Sequence, residues 1–318
     1  MSAPPTHRRP GVTVIGGVQA DVVISPVTEL PPPGATRLTE QMSIRVGGAG
    51  ANAALAFVET GLPVRLMGCV GEDRLGEWMR EELTEAGLAD ELAVLPGRGT
   101  GLTVALESEH RDRTFLTHLG VNADWGPEMI PADALACDNL LLCDYCVAPG
   151  LQGEVARSLL DATRAGGGRT FFDTAWDPED FPPARRREVR GLLSSVDVFL
   201  PNEAEARAIA GTEDGDVVAA ARALQRDGGG WVVVKLGARG CVAVGPDEVE
   251  LSADAPPVTV ADTTGAGDAF NAGLVTALSA GEEWPLALSA ATRFAAEIVS
   301  RPSHDRWRPP LLDSTPAD

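Results

Sequence analysis

Lysine is almost absent: 25 of the 26 basic residues in this 318-residue chain are arginine, and Lys235 is the single lysine. Every lysine-dependent motif is therefore tested at one position. Lys235 stands between Val234 and Leu236, which fits neither the Gly-Lys-Ser/Thr of a P-loop nor a Ser-x-x-Lys nucleophile. Basic charge as a whole is scarce against 46 acidic residues, leaving a net charge of −20. So negative a surface repels phosphodiester backbones and anionic lipid. The densest basic run, Arg185-Arg186-Arg187 with Arg190, reads as a solvated helix face. Neither nucleic acid nor membrane is an expected partner.

Long apolar runs are missing too, and none approaches the ~18 residues of a membrane span. The Arg8-Arg9 pair is followed by an apolar run, 12–18, that is too short for an export signal and soon meets Asp21. The five cysteines, at 69, 137, 143, 146 and 241, are an odd count in a long chain. That suits free thiols in a reducing compartment, and a cytoplasmic location is expected. Cys143-Asp144-Tyr145-Cys146 has redox or zinc spacing, but with no second cysteine pair and no nearby histidine it reads as buried strand-end thiols.

What is present is a βα rhythm. VTVIGG at 12–17 is a β-branched run ending in glycine, GGAGANAALAFVETG at 47–61 is a glycine turn feeding a helix, and LPVRLMGCVG at 62–71 is a strand. Leu75, Trp78, Met79 and Leu83 trace one face of the next helix. The runs at 102–107 and 113–117 alternate and predict a hairpin, as do 240–245 and 248–252. Strand-like runs at 140–143, 170–173, 196–200 and 231–235, separated mostly by Ala-rich helical segments, imply a parallel sheet covered on both faces. The last 60 residues read as helical up to a Pro-rich tail. The expected architecture is one three-layer α/β/α domain over 11–301, with segments at about 20–46 and 95–120 leaving it as a small β lid, and tails at 1–10 and 302–318.

Chemistry concentrates in VADTTGAGDAFNAGLVTAL at 260–278. Phe270, Leu274, Ala277 and Leu278 recur at helical spacing, so a buried helix begins near Ala266 with Gly265-Ala266-Gly267 at its entry. Small residues let backbone amides converge there, and the positive end of the helix dipole favours an anion. Asp268 falls in that first turn. An aspartate there can merely complement the dipole, but a dipole partner needs neither flanking glycines nor a preceding Asp-Thr-Thr. A carboxylate beside an anion hole suits phosphoryl transfer, the amides neutralising the moving phosphoryl group and the carboxylate accepting a hydroxyl proton.

The run Asp262-Thr263-Thr264-Gly265-Ala266-Gly267-Asp268 resembles the C-terminal signature of the ribokinase-like (PfkB) carbohydrate kinases, and GGAGAN at 47–52 resembles their N-terminal signature. The resemblance implies a ribokinase-like fold with a mostly parallel central sheet, and ATP and Mg2+ as cofactors. It implies Asp268 as catalytic base, Gly265, Ala266 and Gly267 as anion hole, and Asp21, Gly47, Gly48 and Asn52 as sugar contacts. Asn202 and Glu205 form a capping box by spacing, and by resemblance help to place phosphates and magnesium, with Glu205 acting through water. Gly237 and Gly240, after the strand that carries Lys235, resemble the nucleotide loop, and retention of the lone lysine there suggests a point charge facing nucleotide phosphate.

Two departures bear on the substrate and the cofactors. Ala49 stands where ribokinases typically carry lysine, which argues against ribose itself. Asp262 and Thr264 match the family's monovalent-cation ligands, yet the later loop, Ser300-Arg301-Pro302-Ser303, lacks its glycine, which leaves potassium dependence open. The expected substrate is a small sugar or sugar acid. The alternatives are a nucleoside, less favoured because Phe115 is the lone aromatic of the lid segments, and a non-catalytic sugar-binding role. A homodimer through the lid is implied by resemblance alone. Two other matches are accidental: His110-Arg111-Asp112 and Val-Val-Val-Lys235 occur in reversed order for a protein kinase, and no G-x-G-x-x-G follows the first strand.

Overall fold

The computed structural model describes residues 11–108, 111–212, 215–301 and 307. The tails expected at 1–10 and 302–318 lie outside the described residues, apart from Trp307. In chain order the strands are β1 (Val12–Ile15), β2 (Gln19–Ser25), β3 (Gln41–Gly47), β4 (Val64–Met67), β5 (Cys69–Gly71), β6 (Ala93–Leu95), β7 (Leu102–Ser108), β8 (Arg111–His118), β9 (Asn139–Leu142), β10 (Arg169–Phe172), β11 (Val198–Phe199), β12 (Trp231–Lys235), β13 (Cys241–Val244) and β14 (Glu250–Ala253). The helices are α1 (Ala49–Thr60), α2 (Arg74–Glu85), α3 (Glu154–Ala165), α4 (Pro183–Leu192), α5 (Glu203–Ala210), α6 (Val217–Gly228), α7 (Ala266–Ser279) and α8 (Trp284–Ser300).

Eight strands form the central sheet in the order β14-β13-β12-β11-β10-β9-β1-β4. It is parallel from β4 to β12 and closes with the antiparallel β12-β13-β14 ribbon. Short β-branched and leucine-rich runs suit strands covered on both sides, because successive side chains enter opposite layers. Val12 and Val14 of β1, Leu141 of β9 and Val233 of β12 pack with α1, α2, α7 and α8. Ile15, Leu140, Leu142, Val232 and Val234 pack with α3 to α6. This is the expected three-layer α/β/α arrangement.

The lid is a separate four-stranded sheet, β3-β2-β7-β8. Asp21 pairs in register with Arg45 and with Thr103, which pairs with Thr117, so these four share one face. Asp21, Val23, Thr103 and Ala105 are buried, whereas Val22, Ile24, Val104 and Leu106 on the other face are less so. The period-2 alternation thus separates an inner face from an outer one.

Three expectations on element bounds are corrected. The single strand read over 62–71 is two strands broken at Gly68: β4 stays in the central sheet, whereas β5 pairs with β6 in a sheet of its own. A Cβ at Gly68 would lie 2.5 Å from a Val18 side-chain carbon, and this close approach marks the bend. Residues 93–95 therefore pair with β5 and not with the lid, which the chain re-enters at Leu102. The final helical region also begins only at Ala266, because 254–265 form an irregular approach to the α7 N-terminus.

Candidate active site

Chain order places the site. From β1 the chain crosses to β4 on one side, and later returns through β9 on the other. The β1/β9 boundary is therefore the switch point of the sheet, where ligands of open α/β folds bind beyond the carboxyl ends of the strands. At those ends lie Gly16-Gly17 after β1, Cys143-Asp144 after β9, Asp173 after β10, Asn202 after β11 and Lys235 at the end of β12.

The two glycine signatures meet here. A Cβ on Gly48 would fall 2.4 Å from Gly17 O, and one on Gly50 would fall 2.5 Å from Gly16 C, so backbone packs directly on backbone. Asp144 fastens this junction: its Oδ2 accepts from Gly17 N at 3.1 Å and Ala49 N at 2.8 Å. Asp144 is held in the left-handed region at φ 58°. Burial pushes its carboxyl up to about 6, with the Ala49 amide opposing. Gly47 brings Asp21 alongside, since a Cβ there would lie 2.2 Å from Asp21 Oδ2.

The α7 entry completes the group. Gly265, at φ 74°, caps the helix in the left-handed conformation that glycine adopts freely, leaving the first-turn amides without intrahelical partners. Asn52 lies against this turn, its amide nitrogen 3.8 Å from the Cβ position of Gly265, and its amide favours the charged form of Asp268. Burial, and then the carboxylates of Asp173 and Asp144, hold the Asp268 carboxyl well above the ordinary range, while Lys235 and Asn52 pull it back. Asp268, Asn52 and the 265–267 turn are thus brought together, and Asp21 enters from the lid.

The residues expected on the nucleotide side divide. Asn202 and Glu205 form a reciprocal capping box, Asn202 N donating to Glu205 Oε2 at 2.8 Å and Glu205 N donating to Asn202 Oδ1 at 2.9 Å. Burial and Asp173 raise the Glu205 carboxyl to about 7. Gly237 and Gly240 form the turn after β12, where Leu236 N donates to Gly240 O at 2.8 Å. Lys235, expected to face nucleotide phosphate from this loop, is paired with a buried carboxylate. Its Nζ points back under α7, donating to Asp173 Oδ2 at 2.6 Å and lying 3.4 Å from the Cβ position of Gly267. A buried ammonium needs a carboxylate more than an exposed one does, and burial, which would lower its pKa, is outweighed by Asp173 and Glu205.

Asp262 is engaged as well: its Oδ2 accepts from Arg45 Nη1 at 2.6 Å and its Oδ1 from Thr264 N at 2.8 Å. Four contributors escaped the motif reading: Asp144, Asp173, Arg45 and Trp307. Asp173 also accepts from Asn271 Nδ2 at 2.7 Å. Trp307, from the expected tail, sets its ring 3.2 Å from the Cβ position of Gly265. The available signal for the first two was an aspartate directly after a buried apolar strand, as in Leu-Leu-Leu-Cys-Asp144 and Phe-Phe-Asp173.

The chain is similar in sequence and in fold to known sugar kinases. The chain is 29% identical over 275 residues to ribokinase from Haemophilus influenzae, spanning 85% of this chain and 86% of that protein. It is 28% identical over 277 residues to 1-phosphofructokinase from Escherichia coli K12, spanning 84% of each. The structure of Arabidopsis thaliana ribokinase complexed with ribose and ATP superposes with a TM-score of 0.78 at 24% identity, covering 94% of this chain and 98% of that one, a likeness of fold. The pfkB family carbohydrate kinase profile matches residues 10–307, and the chain belongs to that family of phosphotransferases acting on sugar hydroxyls.

Proposed function

We propose that this kinase transfers the terminal phosphoryl group of ATP to a hydroxymethyl group of a small sugar or sugar acid, in the manner of ribokinase, fructokinase or 2-keto-3-deoxygluconate kinase. The observation that carries the reading is a carboxylate, Asp268, in the first turn of α7, with the amide-bearing turn 265–267 and Asn52 beside it at the sheet's switch point. Asp21 from the lid, the Gly47-Gly48 turn and Asn52 hold the acceptor's hydroxyls, a short carboxylate and an amide accepting and donating to vicinal groups. Asp268 removes the proton from the attacking hydroxyl, and the Gly265, Ala266 and Gly267 amides stabilise the phosphoryl oxygens in flight. The Lys235 ammonium lies beneath this turn, 3.4 Å from the Cβ position of Gly267, and is held there by its pair with Asp173.

The nucleotide lies along the Gly237–Gly240 turn. Among the described residues no group of three or more His, Cys, Asp or Glu side chains is set to hold a metal. Mg2+ keeps several waters and binds through one or two carboxylates plus substrate phosphates, a demand that the buried carboxylate of Glu205 meets. Asn202 and Glu205 would hold it through water, and its chemistry is to neutralise charge on the phosphates.

An ATP-consumption screen over pentoses, hexoses, keto-deoxy acids and nucleosides tests the reading, with turnover expected on a sugar or sugar acid. Turnover confined to nucleosides would make it a nucleoside kinase, and none at all would leave a sugar-binding homologue.

The lid also supports a homodimer. Its outer face carries Met42, Ile44 at 50% exposure and Leu116 at 61%, beside Val22 and Val104. Light scattering is expected to give twice the chain mass, and Ile44→Asp to halve it. A monomeric parent chain would end this assignment.

A further inference from the structure

Arg45 joins the lid to the turn that enters the anion hole. It lies opposite Asp21 on the inner face of the lid, and its Nη1 donates to Asp262 Oδ2 at 2.6 Å. The other oxygen of Asp262 accepts from Thr264 N at 2.8 Å, and Asp262 N donates to Val299 O at the end of α8. Asp262 is 2% exposed and the Arg45 side chain 16%. A carboxylate so buried needs a countercharge, and a covalently attached guanidinium already supplies it.

Asp262 and Thr264 are the positions that the family resemblance assigns to a monovalent cation, and in this chain they do not fit one. A second cation at Asp262 would meet Arg45 at close range. The described start of the 300–303 segment is also committed, with Arg301 donating to Glu59 at 3.0 Å and Glu297 at 2.7 Å. We infer that Arg45 is the resident countercharge of Asp262, a positioning residue that fixes the α7 entry from the lid and makes turnover independent of monovalent cations. The turnover half of this inference rests on the proposed kinase reaction, whereas the charge pair does not.

The test compares parent, Arg45→Gln and Arg45→Lys chains in KCl, NaCl and tetramethylammonium chloride at equal ionic strength, so that general screening is constant. Parent kcat and melting temperature are expected to be the same in all three salts. Arg45→Gln is expected to lose on the order of 10- to 100-fold in kcat in tetramethylammonium, as displaced catalytic groups do. It should regain activity and melt higher in KCl or with added guanidinium, because a ligand bound only to the folded state stabilises it. Arg45→Lys retains the charge and should stay indifferent to salt identity. A parent enzyme stimulated several-fold by potassium, or an Arg45→Gln chain that no small cation helps, would overturn the inference. If the parent turned over no acceptor, the kinase reading would fall while the melting comparison still decided the role of Arg45.

Discussion

Asp268→Asn is expected to fold like the parent chain and to lose roughly 10²–10⁴ of kcat, with a much smaller change in acceptor KM. Asparagine keeps the size of the side chain and its place in the first turn of α7, but accepts no proton from the attacking hydroxyl. The site makes this test sharper than a bare loss of activity. Because the Asp268 carboxyl is held well above the usual carboxylate range, first by burial and then by Asp173 and Asp144, the acid limb of kcat/KM should sit higher in pH than an ordinary aspartate would place it. Asp173→Asn removes the neighbouring charge that counts most and should move the limb to lower pH.

Stability responds to the same shift. A carboxyl whose folded pKa is raised contributes stability that is fully present below its unfolded pKa and is lost as pH rises through the folded value. The parent therefore loses stability with rising pH that Asp268→Asn keeps, so the melting temperature of the variant relative to the parent should rise with pH. Turnover near that of the parent would remove Asp268 from the role of base, and a relative melting temperature that did not rise with pH would contradict the electrostatic account of the site.

The layers were legible because their signals are local. The alternation in β7 and β8, the apolar runs of β9 to β12, the glycine-bounded helix α1 and the capping box that opens α5 each depend on a few consecutive residues. The α7 entry was legible for the same reason, since glycine, glycine and aspartate fall within one turn. Asp144 and Asp173 left no such trace. Each is a single carboxylate at the end of a strand, and what gives it meaning is a neighbour 95 to 127 positions away for Asp144 and 62 or 98 for Asp173. Asp144 in particular sat inside a Cys-x-x-Cys whose thiols prove to be buried and free. Lys235 was noticed for its rarity, but the register that turns its ammonium under α7 is tertiary information, as is the 217-residue separation between Arg45 and Asp262.

Lys235→Met is expected to be the most destabilising single change at the site. Methionine nearly matches the length of the side chain and suits the packing, so the loss reports charge and not volume. It leaves Asp173 mostly buried with only neutral donors, the Asn271 amide and the Ala175 N–H, in a neighbourhood that already holds Asp144, Glu205 and Asp268. Breaking a buried pair by removing one partner costs about 3–5 kcal/mol. At about 2–4 °C per kcal/mol for a chain of this size, the melting temperature should fall by roughly 6–20 °C. Loss of the ammonium also removes the charge that lowers the Asp268 and Glu205 carboxyls, so the acid limb of kcat/KM should move to higher pH, opposite to Asp173→Asn. Combining Lys235→Met with Asp173→Asn removes both charges, leaving a neutral amide that can still hydrogen-bond Asn271. The double variant should therefore recover most of the lost stability, so that the two changes couple strongly and do not add. Strictly additive losses, or a Lys235→Met chain that melts with the parent, would show that the lone lysine is not the counterion on which this cluster of carboxylates depends.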